Sequence, residues 1–510
     1  MRRSITTLLT LLVWMVACRA PAPPVDAGLV ITNVRILDGS GAPAFAGSVR
    51  IADGLIVAVG ELEYSETDRT FDGRGLTLTP GFIDTHSHAD TDIFEHPDAI
   101  AAMSQGITTV VVGQDGRSPF PLRDFQASLE RMGTPINFAS YVGHNTLRSL
   151  VMGADYERAA GAEELSSMQK LLREELSAGA IGLSTGLEYD PGIYSSTEEV
   201  IALAQLTAEE GGRYISHMRS EDRWLDTAVD ELLHIGRVTK MPVHISHFKL
   251  AMKSLWGRAD DFVQRLDAAR REGINVTADV YPYEYWQSTM MVLLPERDPA
   301  DMRAVQYALE ELAPPEGMWF TRFAANPAYV GMRLSEIAAL REVDATTAFS
   351  ELAIEAQRFA AESGESAEAI IGTSMHSDDV RTLLAWPFTN IATDGGLVDL
   401  HPRASGSFPK VLGHYVREDG ALALPDAVRK MTSLAAKNMG FVNRGYVREG
   451  YAADLVLFDP DTIVDRATPD APRLLSTGVS AVWVDGQLIF ANGRSTESLP
   501  GRFIRRSGAN

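Results

Sequence analysis

The sequence predicts an α/β protein, a (β/α)8 TIM-like barrel carrying a small β-sandwich built from both chain ends. Three features predict it. From residue 81 to 444, short apolar strands alternate with helical stretches, the pattern of a parallel sheet. Short strands punctuated by tight turns fill 28–80 and recur over 445–500. Histidines and an aspartate stand at the ends of several of the central strands, where barrel active sites lie.

At the start of the barrel, Gly81-Phe82-Ile83-Asp84-Thr85-His86-Ser87-His88 reads as a short apolar strand followed by two histidines spaced two apart. On an extended chain that spacing sends both imidazoles to one side, which suits a divalent metal. Further strand ends fall at Gly113, His144, Gly186, His217, His247, Tyr283 and Asp394. Helices are expected over Ala162–Ser177, Thr197–Glu210, Trp224–Thr239 and Ala259–Glu272, from apolar residues at three-to-four spacing. A ninth strand candidate, Ile370–Ser374, leaves the strand assignment open. Residues 290–345 break the period and carry Pro295, Pro299, Pro314 and Pro315, so they read as an insertion over the barrel mouth. In the sandwich segments, Asp38-Gly39, Asp53-Gly54, Asp72-Gly73 and Asp485-Gly486 mark the turns.

The composition is that of a globular protein, 45% hydrophobic and 22% charged. A net charge of −22 argues against a nucleic-acid partner, since no basic stripe would neutralise phosphates. Residues 1–18 read as an export signal: Arg2 and Arg3, then an apolar run from Leu8 to Val16 too short for a permanent span. The run ends in Ala17-Cys18, and Cys18 is the sole cysteine, so it has no internal disulfide partner. This resembles a bacterial lipoprotein signal. It implies export to the periplasmic side and a lipid anchor on Cys18, with residues 19–27 as a proline-rich tether.

His217 ends Arg213–His217, His247 ends Pro242–His247 and Asp394 ends Asn390–Asp394. Together with His-x-His these residues resemble the metal-dependent amidohydrolases, and within them the N-acyl-D-amino-acid deacylases, or D-aminoacylases. The stretches Gly143–Arg148, Gly182–Tyr189, Ser216–Glu221, Ser246–Lys249, Tyr281–Tyr283, His401–Arg403 and Ala453–Val456 carry that narrower resemblance.

The resemblance implies a zinc site of one or two ions, with His86, His88, His217 and His247 as ligands. Where many members have Gly-Asn-Cys-Gly, this chain has Gly113-Gln114-Asp115-Gly116, which places Asp115 at the position of a zinc-binding cysteine. A carboxylate is a legitimate but harder ligand than a thiolate. Whether Asp115 bridges two ions, binds one or orients a ligand stays open at this point.

The implied reaction is hydrolysis of an N-acyl-D-amino acid. The metal lowers the pKa of bound water to about 7 and polarises the amide carbonyl. Asp394 then serves as general base and acid. Lys249, Arg403 and Tyr283 are candidates for the substrate carboxylate, while His144 either polarises the substrate or braces the loop after the third strand. Rival readings are a D-dipeptidase, a cyclic-amide hydrolase and a non-catalytic binding lipoprotein. A fourth is a serine hydrolase using Ser184 of the Gly-x-Ser-x-Gly match Gly182–Gly186.

The export reading carries a test: Cys18→Ser should release the protein from membranes or stall its processing. Cell fractionation with a labelled lipid precursor checks this, and membrane association unchanged in the variant refutes the anchor.

Overall fold

The computed structural model describes residues 28–63 and 68–508. The signal, the anchor and the tether expected above fall outside these residues. No helix among the described residues is long and apolar enough to cross a membrane.

Phe82–Asp84, Ile107–Val112 and Asn137–Ser140 pair in parallel, in that order. The third strand breaks at Tyr141 and resumes as Val142–Gly143. From there Gly182–Gly186, Arg213–His217, Val243–Ile245, Val276–Val280 and Thr389–Ile391 continue the parallel ladder. A parallel bridge from Ser87 to Gly395 joins the last strand to the first, which completes eight strands. Four of the helices covering the strands are Ala162–Ser177, Thr197–Glu209, Leu225–Thr239 and Ala259–Arg271. The second is capped by Ser196, whose side chain accepts from the Glu199 amide.

The closing seam is dense in polar contacts. Asp84, fully buried, accepts from the Thr393 amide at 2.9 Å and from the Thr393 hydroxyl at 2.6 Å. The Asp394 amide donates to the His86 carbonyl at 2.8 Å, and the His88 amide to the Gly395 carbonyl at 2.9 Å. Short apolar strands supply the sheet, but these contacts set which residues of the first and eighth strands stand side by side.

Both chain ends form one nine-stranded sheet, joined where Thr77–Pro80 runs antiparallel to Leu455–Phe458. The sandwich closes on a core that includes Ile31, Ile36, Val49, Leu78, Leu455 and Trp483. From this sheet the chain passes directly into the barrel at Gly81, whose amide donates to the Asp454 carbonyl at 2.7 Å. A Cβ at Gly81 would lie 2.1 Å from the Thr108 hydroxyl, so the close approach requires glycine.

Over the mouth, Tyr285–Ser288, Met318–Phe323 and Glu368–Thr373 form a separate antiparallel sheet with the last of them central. The ninth strand candidate is this central strand and takes no part in the barrel. The insertion is correspondingly longer than 290–345: it opens at Tyr285 and runs through the helix Ala345–Ser363 to Thr373. Its outer parts have ordinary strand and helix patterns, so loss of period marks only its middle.

Removing one partner at the seam should be costly. Thr393→Val leaves one oxygen of the buried Asp84 carboxylate without its hydroxyl donor, an expected loss of about 1–3 kcal/mol. Chemical denaturation of both proteins measures it, and an unchanged midpoint refutes the role given to this contact.

Candidate metal centre

Seven side chains project into one floor at the carboxyl end of the barrel, each from a strand end or the turn just after it. The ligand atoms of His86, Asp115, His247 and Asp394 all lie within 4.8 Å of one another, and those of His217, Glu221 and His247 form a second such group. Asp115 stands at the hub. Its Oδ1 is 3.4 Å from His86 Nε2 and 3.3 Å from His247 Nε2, and its Oδ2 is 3.4 Å from His88 Nε2. Asp394 Oδ1 lies 3.5 Å from His86 Nε2 and 3.2 Å from His88 Nε2. His217 Nδ1 is 3.0 Å from His247 Nε2.

The backbone is unusual at three of these residues. Asp115, His247 and Asp394 have φ of 52°, 34° and 52°, in the left-handed region that non-glycine residues seldom adopt. Each is held there locally. A Cβ at Gly113 would meet the Tyr141 carbonyl at 2.4 Å, and one at Gly116 the Asn145 amide oxygen at 2.2 Å, so these glycines let the turn carrying Asp115 sit close to its neighbours. The His247 amide donates to Asp279 Oδ1 at 2.5 Å, and Asp394 is tied to His86 through the seam.

The donor set fits a divalent ion on two counts. Both ring nitrogens of His86 are buried with no hydrogen-bond partner, an expensive arrangement unless something else satisfies them. In addition, ligand atoms around a tetrahedral ion with bonds of about 2.0–2.1 Å lie about 3.3–3.4 Å apart, and the contacts around Asp115 have that spacing. Glu221 Oε1 is 2.8 Å from His247 Nδ1, which aims the other ring nitrogen of His247 at the cluster. Glu188 is 2.9 Å from His217 Nε2.

The charges agree. Burial opposes protonation of His86, yet the charges of Asp115 and Asp394 outweigh it and hold its pKa well above the ordinary value. His88 is raised to about 10, burial again opposing and hydrogen bonds to Asp115 and Asp394 prevailing. For Asp115, burial pushes the carboxyl up, but the His86 and His247 charges hold it well below the usual range. Asp394 moves the same way, with Arg403 the largest influence against burial. These carboxylates demand positive charge, and a divalent ion supplies it while the imidazoles stay neutral.

A cavity of about 600 Å³ opens above the cluster, lined by His88, Asp115, His217, His247 and Asp394 and roofed by the insertion. Lys249 and Arg403 line it too, but neither cation is wholly free. Lys249 Nζ donates to Glu221 at 2.6 Å, and Arg403 Nη1 pairs with Asp394 while its Nε has no partner.

One other expectation needs correction. Tyr283 faces away from the cavity, its hydroxyl 3.4 Å from the Pro402 carbonyl. Tyr281 takes the inward position instead. It directly follows the strand Val276–Val280, its ring lies under Lys249 and Arg403, and its buried hydroxyl has no partner. His144 is fully buried, 2.8 Å from Glu199, which also holds Arg148, so it braces the fold and touches no substrate space. Ser184 is likewise buried within its strand and donates to the Gly113 carbonyl at 2.6 Å, which removes the serine-nucleophile reading.

Glu188, Tyr189 and Glu221 also line the cavity and were not anticipated as site residues. The Gly182–Tyr189 and Ser216–Glu221 stretches held them in plain sight, beside strand-end residues that drew the attention.

This barrel and this cluster define a class of protein. The chain belongs to the amidohydrolase family, whose pattern matches residues 69–490. It is 36% identical to an N-acyl-D-glutamate deacylase and 34% identical to a D-aminoacylase, both of Alcaligenes xylosoxydans xylosoxydans. Each match covers 94% of this chain, with 97% and 98% of the relative. It also resembles the crystal structure of an N-acyl-D-glutamate deacylase from Bordetella bronchiseptica, complexed with zinc and a phosphonate mimic of the tetrahedral intermediate. That TM-score is 0.84 at 35% identity, over 94% of this chain and 99% of the other.

Two measurements follow. Asp115→Ala should lower metal content per chain after dialysis, and Asp115→Cys should keep the fold and shift selectivity toward zinc. Retention of metal by the alanine variant at the wild-type level refutes the ligand role.

The second concerns Glu368, a cavity-lining carboxyl that burial raises from 4.5 to about 7, the Met290 amide pulling part of the way back. Between those values the folded chain holds a proton that the unfolded chain has lost. This contribution to stability is therefore full below 4.5 and lost as pH rises through 7. Relative to Glu368→Gln, the wild type should lose thermal stability between pH 5 and pH 8. Parallel curves for the two proteins refute it.

Proposed function

We propose that this chain is a metal-dependent deacylase that hydrolyses the amide bond of N-acyl-D-amino acids to a carboxylate and a D-amino acid. The observation that carries the proposal is the four-residue group His86, Asp115, His247 and Asp394 at the base of a cavity large enough for such a substrate. The resemblance to deacylases over nearly the whole chain supports the D-configured product.

His86, Asp115, His247 and Asp394 would hold one ion, with His88 beside Asp115 and Asp394, and His217, Glu221 and His247 form a second donor group. When bound, a divalent ion such as zinc contributes Lewis-acid polarisation of the amide carbonyl and a more acidic water. The chain's own groups do the rest. Arg403, through its unpartnered Nε, and the Tyr281 hydroxyl receive the substrate carboxylate, with Lys249 beside them.

Asp394 takes the proton from water and returns it to the departing nitrogen. In the free protein Arg403 depresses its basicity. A substrate carboxylate drawn to Arg403 weakens that pairing, so the base strengthens when substrate is present. Insertion residues Trp286, Arg322 and Glu368 line the cavity beside these groups.

Chelation should abolish hydrolysis of N-acetyl-D-methionine, added zinc should restore it, and the L-isomer should react far more slowly. Asp394→Asn should lower kcat on the order of 10²–10⁴-fold. Activity that survives exhaustive chelation, or a preference for the L-isomer, refutes the proposal.

A further inference from the structure

The insertion contributes a wall to the cavity whose chemistry the reaction does not use. Glu368, the first residue of the central insertion strand, is 5% exposed and lines the cavity. Its two oxygens receive one backbone donor, the Met290 amide, at 2.9 and 3.0 Å. Among the described residues no cation pairs with it. A buried carboxyl without a counter-charge tends to hold its proton, and a cation placed against it favours the ionised form. Nearby, Gln287 lines the same cavity and its buried Oε1 has no partner, so a second acceptor awaits a donor.

The same cavity is also lined by apolar side chains, Trp286, Val292, Leu293 and Leu312, along with Ser288 and Thr289. Apolar sides leading to buried acceptors match a side chain with a methylene stem and a cationic tip. The charge balance of the cavity points the same way. Lys249 and Arg403 are already paired with Glu221 and Asp394. Asp92 and Asp399 add further negative charge along the lining, while Asp222 pairs with Arg223. The one other cation there is Arg322, exposed on the neighbouring strand, where it pairs with Ala369 while Glu368 pairs with Phe323.

Resting on the deacylase reading above, we propose that this pocket selects N-acyl-D-amino acids with a long cationic side chain, of the lysine, ornithine or arginine type, and that Glu368 receives the cation. Sequence likeness does not decide this, because a relative acting on N-acyl-D-glutamate and a D-aminoacylase are nearly equally similar to this chain. The pocket does decide it: an acidic side chain would lie against a buried carboxyl that has no counter-charge, whereas a cationic one pairs with its ionised form.

The test compares kcat/KM of the zinc-loaded enzyme for N-acetyl-D-lysine, N-acetyl-D-norleucine and N-acetyl-D-glutamate. Norleucine keeps the stem and removes the charge. The lysine substrate should exceed norleucine by about 10–100-fold, the range expected for one hydrogen bond to a charged group. Glutamate should be the poorest of the three. Glu368→Gln should lower the lysine value at least 10-fold more than the norleucine value. If that variant folds poorly, the wild-type ratio of lysine to norleucine decides by itself.

Equal use of lysine and norleucine overturns the proposal and leaves the deacylase reading standing. So does a preference for glutamate that Arg322→Gln removes, which would assign the pocket to acidic side chains. Failure to hydrolyse any of the three, norleucine included, refutes the deacylase reading together with this one.

Discussion

The structure depends on the seam where the eighth barrel strand returns to the first. Asp84 and Thr393 are 309 residues apart in the chain, yet two hydrogen bonds join them in a site closed to water. The contact sets register: with Thr393 against Asp84, the Asp394 amide reaches the His86 carbonyl, and Asp394 comes to stand opposite His86 and His88. A slip of one residue would break these contacts and carry Asp394 away from His86 and His88. Three side chains of the reacting centre are therefore positioned by one closure.

What the seam brings together would repel itself without compensation. Asp115 and Asp394 converge on one point, and burial makes their charge expensive. Positive charge therefore arrives from every side: imidazoles from three strands, Arg403 on the far oxygen of Asp394, and Lys249 behind Glu221. A thiolate at the Asp115 position would bring one charge on one soft atom. The carboxylate brings the same charge on two hard atoms, one facing His86 and His247 and the other facing His88. That division lets a single side chain serve both halves of the cluster, at the cost of selectivity for zinc over harder ions.

Much of this was legible in the sequence, for identifiable reasons. Barrel strands are short, apolar and bounded by turns, and chemistry-bearing residues follow them, so His86, His217, His247 and Asp394 stand out by position. Asp115 stood out against the cysteine of the resembling family. The losses came where sequence spacing underdetermines direction. Tyr281 and Tyr283 are two apart, as a strand would place two residues on one side, but the strand has ended at Val280 and the chain turns at Pro282. Only one of the two rings then faces the cavity. His144 sits at a strand end like the others, and the helix that begins at it carries its ring toward Glu199. The insertion was seen only in its middle, since a strand pairing outside the barrel has the same local pattern as one inside it.

The division of labour between barrel and insertion follows from these constraints. The reacting centre is tied to barrel closure, so its side chains cannot change without disturbing the fold that holds them. The sheet of Tyr285–Ser288, Met318–Phe323 and Glu368–Thr373 has its own hydrogen bonds and lies outside the seam, although its buried side chains, Phe320 and Phe323 among them, share one core with the barrel. Residues on its cavity side can vary without loosening the seam. A carboxylate there is stabilised by little except one amide, so it weakens the empty protein more than a neutral residue would. Such a cost is tolerable on a wall that takes no part in barrel closure, and it is recovered when a ligand supplies the missing charge. Discrimination thus comes from an unsatisfied group on the replaceable wall, while the chemistry stays with satisfied groups on the fixed floor.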